Sequence, residues 1–307
     1  MSIFTYPAAA RLGARLIQGA TGAGATAAGK KAGARLPEFV GNTETIEIPT
    51  SVGPATATVY RPAPSDQLPP VHVNLHGGGY VIALTSMDDP ACRILAALSG
   101  SVVVNVDYVV APQHPFPEPP QQVYEIVEWV AAHGAEHGWA GSRLTIGGQS
   151  AGGGLAAAAA RLSWEKKGPK IALQVLHYPP LDLSVPAKTK QSPIAKPVLR
   201  PWMGDMFDAA YAPDPATRSD RLISPAGAAD TVELTGIAPA YIIAAGNDIL
   251  REEARRYADR LEQVGALVDY REISGVDHGY DMDDDVRSKE SYTLIAERIK
   301  AAVANSG

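Results

Sequence analysis

The chain has 307 residues and a net charge of −6, so it is long enough for one α/β core with an insertion but offers no basic patch for nucleic acid. No apolar run reaches the roughly 18 residues of a membrane span, which argues against stable membrane insertion, and residues 1–32 lack the continuous apolar segment of a secretory signal. The single cysteine, Cys92, permits no internal disulfide, which predicts a cytoplasmic protein. Cys92 itself is interpreted as a small buried residue on a helix.

Low sequence complexity marks the N-terminal part of the chain. Residues 18–34 are rich in glycine and alanine and are interpreted either as a mobile arm or as part of a lid. Two strands are predicted after this stretch, at residues 44–48 and 55–61.

A glycine-rich turn, His76-Gly77-Gly78-Gly79, follows a short apolar stretch at residues 71–75 that is typical of a buried strand. A helix is predicted at residues 89–98 and a further strand at residues 101–106. Strands that alternate with helices in this way build a mainly parallel sheet. A helix at residues 121–133, with apolar residues at helical spacing, is expected to pack on that sheet.

The segment Gly148-Gln149-Ser150-Ala151-Gly152 matches the pattern G-x-S-x-G, in which a serine occupies a tight turn between a strand and a helix. A strand at residues 143–146 and an alanine-rich helix at residues 151–162 are predicted on its two sides. Side chains at the two flanking glycines would collide across such a bend. The turn presents the serine hydroxyl at the head of the helix, where amide N–H groups can stabilise an anion.

An insertion is expected after the strand at residues 171–177, because six prolines break the rhythm of strands and helices within residues 184–219. Trp202 and Met206 lie at helical spacing and predict a short amphipathic helix whose apolar side roofs a pocket. Trp202 and Phe207 are the candidates for lining that pocket. The alternative is ordinary packing of this helix on the core.

A serine hydroxyl is a poor nucleophile at neutral pH, so it needs a base and a group that orients the base. Asp248 follows a buried strand predicted at residues 240–245, and His278 follows an alternating strand at residues 268–273. The order Ser150, Asp248, His278 is that of α/β-hydrolases, and both later residues lie on loops at strand ends, where an open α/β sheet gathers its active site. The alternative for His278 is a buried core histidine, which its flanking glycines disfavour.

Two more helices are predicted in the C-terminal part, one after Asp248 that ends at Gly265 and one at residues 291–303. The acidic run at residues 281–285 lacks the glycine and the distal glutamate of an EF-hand loop. It is therefore interpreted as a solvated acidic turn that starts a helix. No metal ion and no cofactor are expected.

Together these residues resemble the bacterial hormone-sensitive-lipase family of esterases, which is marked by H-G-G-G and G-D-S-A-G. The similarity runs from about residue 71 to the C-terminus and is weak before about residue 40. Residues 107–117 are similar to the family's D-Y-R-L-A-P-E-H-P-F-P segment, Ser224-Pro225 to its return from cap to core, and residues 248–253 to its D-P-L-R-D-E block.

The resemblance implies an α/β-hydrolase fold with a mostly parallel central sheet flanked by helices and a small helical cap. It divides the chain into an N-terminal cap region at residues 1–43, a hydrolase core at residues 44–183 and 220–307, and a cap insertion at residues 184–219. It also implies a role for six site residues. These are the nucleophile Ser150, the general base His278, its partner Asp248, and the oxyanion-hole backbone N–H groups of Gly77, Gly78 and Ala151.

One departure from the family pattern lies beside the nucleophile, where Gln149 replaces the usual aspartate. We expect a buried charge pair behind the turn to be replaced here by neutral hydrogen bonds. This change would leave the catalytic residues in place but alter the pH profile and the rate.

The implied activity is hydrolysis of carboxylic esters with short to medium acyl chains through a covalent acyl-enzyme. An amidase or peptidase that acts on small amides would use the same three residues and stays open. A non-catalytic ligand receptor on the same scaffold is disfavoured, because such proteins usually lose one of the three. The expected partner is a small-molecule ester, and a homodimer that pairs through an edge strand or a cap surface stays open.

Overall fold

The computed structural model describes residues 2–304, in which one eight-stranded sheet forms the centre of the molecule. Its spatial order is β1-β2-β4-β3-β5-β6-β7-β8. Strand β2 runs antiparallel to both β1 and β4, and all other neighbouring pairs are parallel. The strands are β1 (Asn42–Ile48), β2 (Ala55–Arg61), β3 (Val71–Leu75), β4 (Val102–Asp107), β5 (Leu144–Gln149), β6 (Ile171–His177), β7 (Ala240–Ala245) and β8 (Leu267–Ile273).

Helices cover both faces of this sheet. They are α1 (Pro7–Gly33), α2 (Asp89–Ser99), α3 (Glu118–Ala132), α4 (Gly134–His137), α5 (Ala151–Lys166), α6 (Pro201–Tyr211), α7 (Arg251–Gln263) and α8 (Asp285–Ala304). Because successive strand residues point to opposite faces, Val103 joins the core under α2 and α8, while Val102 and Val104 join the core under α3, α5 and α7. The sheet is therefore buried on both sides, as the apolar runs of its parallel strands predict.

The glycine- and alanine-rich N-terminal stretch is not a separate arm, which corrects one of its two interpretations, while its role as part of a lid stays open. It belongs to α1, a single helix of 27 residues. Gln18 ties the helix to the core through hydrogen bonds from Nε2 to the carbonyls of Val81 (2.8 Å) and Ala111 (2.9 Å). At its C-terminal end, Arg93 donates to the carbonyl of Gly33 at 3.4 Å and, just beyond the helix, to that of Arg35 at 2.7 Å. These tertiary contacts outweigh the low helix propensity of the glycines.

Helix α1 also packs on α6, the single α-helix that the structure places within residues 184–219. Gly13 sits at this crossing, where an added Cβ would lie 2.9 Å from the sulfur of Met206. The rings of Phe4 and Trp202 meet at the same place, with centroids 5.8 Å apart. The N-terminal segment and the proline-rich insertion thus form one layer. No helix within residues 2–304 combines the length and the apolar character that crossing a bilayer requires.

Candidate active site

Ser150 lies at the turn between β5 and α5, with φ of 52° and ψ of −124°. Residues other than glycine rarely adopt such a φ, so neighbouring groups must hold the backbone of Ser150 in this conformation. A hydrogen bond of 2.8 Å from the N–H of Ser150 to the carbonyl of His177 does so. Cβ atoms at Gly148 and Gly152 would lie 2.4 Å and 2.0 Å from the carbonyl oxygen of Leu75, so only glycine allows β3 this close to the turn.

Three side chains from separate loops meet at this turn. The Oγ atom of Ser150 lies 2.9 Å from Nε2 of His278. On the other side of the imidazole, Nδ1 lies 2.6 Å from Oδ2 of Asp248. Asp248 is buried after the end of β7, and its Oδ1 accepts a hydrogen bond of 3.1 Å from the N–H of Leu250. The structure thus brings together the serine, histidine and aspartate that the sequence singled out.

The imidazole of His278 lies on the loop after β8 and is held by neighbours other than Asp248. Its backbone N–H donates to Oδ1 of Asp277 at 2.7 Å. Its ring meets that of Tyr178 edge to face, with centroids 4.9 Å apart. These contacts fix both the position and the plane of the ring.

Charge around His278 decides its protonation. Burial alone would lower the pKa of His278, but the charge and hydrogen bond of Asp248, with smaller contributions from Asp277 and Asp281, raise it above the usual 6.5. The surroundings therefore favour the imidazolium that forms when the ring takes a proton from Ser150.

The glycine turn after β3 lies beside the serine. Gly77 and Gly78 line the same cavity as Ser150. Within residues 2–304 no group accepts a hydrogen bond from the backbone N–H of Gly77, Gly78 or Ala151. Ala151 is the first residue of α5, and the first N–H groups of a helix have no partner inside it. Three free donors are thus available around Ser150.

A cavity of about 180 Å³ opens at Ser150 and His278. Phe207 lines it, as expected, and its ring rests on Gly79, where an added Cβ would lie 2.5 Å from Cδ2 of the ring. The expectation for Trp202 is wrong, because this residue is not among the described residues that line the cavity. Trp202 lies on the outer side of α6, 46% exposed, against Phe4.

Several lining residues were not singled out from the sequence. Tyr178, Lys190 and Asp208 all contribute to the wall of the cavity. The sequence shows only that a lysine and an aspartate lie within the proline-rich insertion, and neither belongs to a motif.

The side-chain amide of Gln149 lies between Asp88 and Tyr292. Its Nε2 donates to Oδ1 of Asp88 at 2.7 Å, and its Oε1 lies 2.8 Å from the hydroxyl of Tyr292. Burial raises the pKa of Asp88 to about 7, although hydrogen bonds from Asn74 and Gln149 oppose the rise. A neutral amide and a phenol therefore lie behind the serine turn, together with one carboxyl group that titrates near neutral pH.

Asp281 corrects the interpretation of the acidic run as a solvated turn. Its side chain is buried, with Oδ1 2.6 Å from the hydroxyl of Tyr178 and Oδ2 2.7 Å from that of Tyr292. The two phenols supply the donors that a buried carboxylate needs, although the single hydroxyl proton of Tyr292 is shared between Asp281 and Oε1 of Gln149. Asp283, Asp284 and Asp285 are exposed, and α8 starts at Asp285 as the acidic run predicts.

Comparison with known proteins gives matches over most of the chain. The model of the Abhydrolase_3 family, described as alpha/beta hydrolase fold, matches residues 72–282. The chain is 34% identical to carboxylesterase NlhH of Mycobacterium tuberculosis over 221 residues, 71% of this chain and 68% of that protein. It is 32% identical to an ethyl acetate hydrolase of Pseudomonas putida over 207 residues, 67% of this chain and 64% of that protein.

Solved structures agree with the sequence matches. A crystal form of an esterase from Pyrobaculum calidifontis superposes with a TM-score of 0.83 at 30% identity, covering 94% of this chain and 92% of that chain. The predicted fold class is thereby confirmed.

Proposed function

The chain belongs to the hormone-sensitive-lipase-like family of α/β-hydrolases and hydrolyses esters, and we propose that it does so through Ser150, His278 and Asp248 with a covalent acyl-enzyme. The contact of 2.9 Å between Ser150 Oγ and His278 Nε2 carries this proposal. It is a hydrogen bond between a hydroxyl and a base, which is the arrangement that activates a serine.

In the first half of the reaction, His278 takes the proton of Ser150 as the serine oxygen attacks the ester carbonyl. The tetrahedral intermediate collapses, the alcohol leaves with the proton from His278, and the acyl group stays on Ser150. Water then attacks the acyl-enzyme and gives a proton to His278, and the second intermediate collapses to the acid as His278 returns that proton to the Ser150 oxygen. Throughout, Asp248 holds the proton-bearing Nδ1 of the imidazole and stabilises its positive form.

The negative charge that develops on the carbonyl oxygen needs donors that are already in position. We assign this role to the backbone N–H groups of Gly77, Gly78 and Ala151, which have no other acceptor within residues 2–304. Donors that need no rearrangement stabilise the transition state more than the ground state.

Cavity size favours short to medium acyl chains. A cavity of roughly 150 Å³ is known to hold one benzene molecule, and the present one is about 180 Å³. The similarity to an ethyl acetate hydrolase agrees with a small substrate. We further propose that α1 and α6, within residues 1–43 and 184–219, act as the cap that limits chain length. Location in the cytoplasm and pairing into a homodimer stay predictions from the sequence.

Hydrolysis of p-nitrophenyl esters from acetate to palmitate, beside p-nitroacetanilide as the amide, tests the proposal. We expect the highest kcat/KM among the short esters, a steep fall at long chains and much slower cleavage of the anilide. The variant Ser150→Ala should lose ester hydrolysis, whereas Ser65→Ala, a serine in the exposed loop before β3, should keep it. Substantial turnover by Ser150→Ala would refute the assignment, and faster cleavage of the anilide would favour the amidase.

A further inference from the structure

Besides the residues around Ser150, two charged side chains lie in the mainly apolar wall of the substrate cavity. Lys190 follows a short 3₁₀ turn at the start of the insertion, and Asp208 belongs to α6. Both line the cavity that contains Ser150 and His278. The catalytic steps proposed above use neither of them.

Lys190 is buried, with its side chain 7% exposed, and its Nζ lies 2.6 Å from Oε2 of Glu253. Glu253 is held in turn, because its Oε1 accepts hydrogen bonds from the N–H groups of Leu181 (2.8 Å) and Asp182 (3.3 Å). Burial alone would lower the pKa of Lys190, but the charges of Glu253 and Asp208 raise it above its usual value. Lys190 is therefore protonated at neutral pH.

An ammonium group has three N–H donors, and Lys190 shares only one contact with Glu253. It makes no other side-chain hydrogen bond or ion pair with the described residues. Asp208 is more isolated, since within residues 2–304 its carboxyl group has neither a hydrogen bond nor an ion pair. Burial raises the pKa of Asp208 to about 7, although the positive charges of Lys190 and Arg218 partly oppose this. The wall of one cavity thus presents spare donors and a spare acceptor that are close enough for their charges to interact.

An alkyl chain in front of these groups would leave them without partners and without water, which is costly for buried polar atoms. A carboxylate on the substrate would suit Lys190 but face Asp208, and an ammonium group would suit Asp208 but face Lys190. A hydroxyl group suits both, because its oxygen accepts from the ammonium and its proton is donated to the carboxylate.

We propose that Lys190 and Asp208 form a polar subsite that selects esters carrying a hydroxyl group away from the ester bond. This inference rests on the proposed function, since it concerns the same cavity and the same reaction. It narrows the substrate class from short esters in general to hydroxylated ones. The two residues bind the substrate and take no part in the proton transfers at Ser150.

Pairs of esters that differ only by a hydroxyl in place of a methyl group test the subsite. Suitable pairs are methyl 3-hydroxybutanoate with methyl 3-methylbutanoate, methyl 6-hydroxyhexanoate with methyl heptanoate, and 2-hydroxyethyl acetate with propyl acetate. Release of acid is followed by pH-stat. We expect kcat/KM of the wild type to favour the hydroxylated member by roughly tenfold or more in at least one pair, because rejection of the isostere leaves buried polar groups unpaired. Equal rates or preference for the methyl member in every pair would overturn the subsite.

Variants identify the residues behind the preference. Asp208→Leu should bring the ratio of the two kcat/KM values in the preferred pair to about one or below, and Lys190→Met should reduce it in the same direction. If Lys190→Met fails to fold because Glu253 loses its partner, Asp208→Leu still decides. Lys188→Met is the matched control, because Lys188 is exposed on the same turn and does not line the cavity, and it should keep the wild-type ratio. An unchanged ratio in Asp208→Leu would refute the proposal.

Hydrolysis of p-nitrophenyl acetate distinguishes failure of the polar subsite from failure of the proposed function. If the wild type hydrolyses this ester but shows no preference for hydroxyl groups, the subsite is wrong and the proposed function stands. If it hydrolyses neither this ester nor any of the pairs, the proposed function is wrong, and the subsite falls with it.

Discussion

The amide nitrogen Nε2 of Gln149 donates a hydrogen bond of 2.7 Å to Oδ1 of Asp88, directly behind the turn that holds Ser150. The resembled family has an aspartate where this chain has Gln149. A second carboxyl group in that buried place would face Asp88. The pKa of Asp88 is already raised to about 7 by burial. The amide removes this conflict between two like charges and supplies a donor instead.

The variant Gln149→Glu restores a carboxyl group of nearly the same shape and should destabilise the protein by on the order of 3 kcal/mol at pH 8. In the folded protein Asp88 and the new carboxyl group both resist ionisation. The loss of stability should therefore shrink toward pH 6, where one of the two acids keeps its proton. Thermal unfolding at the two pH values measures this. Gln67→Glu, at an exposed position, should unfold like the wild type. A loss for Gln149→Glu that does not depend on pH would contradict the account.

Protonation of His278 should limit the rate on the acid side. The base must be neutral to take the proton of Ser150, and its pKa is raised above 6.5, chiefly because Asp248 outweighs the effect of burial. A raised pKa keeps the proton on the ring to higher pH, so kcat/KM should reach half its maximum above pH 6.5. A midpoint at or below that value would contradict this.

Asp277 offers a matched test of the same charge effect. It also raises the pKa of His278, but it does not contact the imidazole Nδ1. Asp277→Asn should therefore lower the midpoint of the pH profile while it keeps most of the maximal rate. A midpoint that moves upward would be the wrong sign for removal of a negative charge.

Replacement of Asp248 by asparagine should cost about ten-thousand-fold in kcat, because an amide can hold the wrong tautomer of the imidazole. Stopped assays with p-nitrophenyl acetate at the pH optimum of each protein measure the loss. The fold should survive, since the amide oxygen of the new side chain can still accept from the N–H of Leu250, as Asp248 Oδ1 does at 3.1 Å. Activity within tenfold of the wild type would argue against the assigned role.

The contact between Gly79 and Phe207 predicts a coupled pair of substitutions. Gly79 has φ of +61°, and an added Cβ would lie 2.5 Å from the ring of Phe207. Gly79→Ala should lower both the unfolding temperature and kcat/KM for p-nitrophenyl butyrate. In the background of Phe207→Ala the ring is gone, so only the backbone strain, about 1–2 kcal/mol, should remain. Strictly additive losses in the double variant would refute direct contact.

Local motifs and the rhythm of strands and helices were sufficient to predict much of the fold. The predicted bounds of β3, β6 and β7 agree with the structure, because buried parallel strands are short apolar runs flanked by turns. The pattern G-x-S-x-G and the strand ends before Asp248 and His278 led to three side chains that do meet. Strand β5 runs on to Gln149, beyond its predicted end at residue 146, since Gly147 and Gly148 pair with both neighbours although they resemble a turn.

Features that depend on distant parts of the chain could not be predicted. Helix α1 is stabilised by hydrogen bonds from Arg93 at its C-terminal end and by packing on α6. The glycine-rich sequence of the helix itself predicts neither contact. Asp281 is buried because two tyrosines reach it from other segments. The direction in which Trp202 points depends on how α6 rotates against α1, which helical spacing alone does not settle.

The covalent role of Ser150 is tested most directly by reaction with a fluorophosphonate, followed by mass spectrometry of the digested protein. We predict a single adduct on the peptide that contains Ser150, with loss of ester hydrolysis in proportion to labelling and no adduct in Ser150→Ala. Full activity of the labelled protein, or an adduct on another residue that accounts for the loss, would contradict the proposed mechanism.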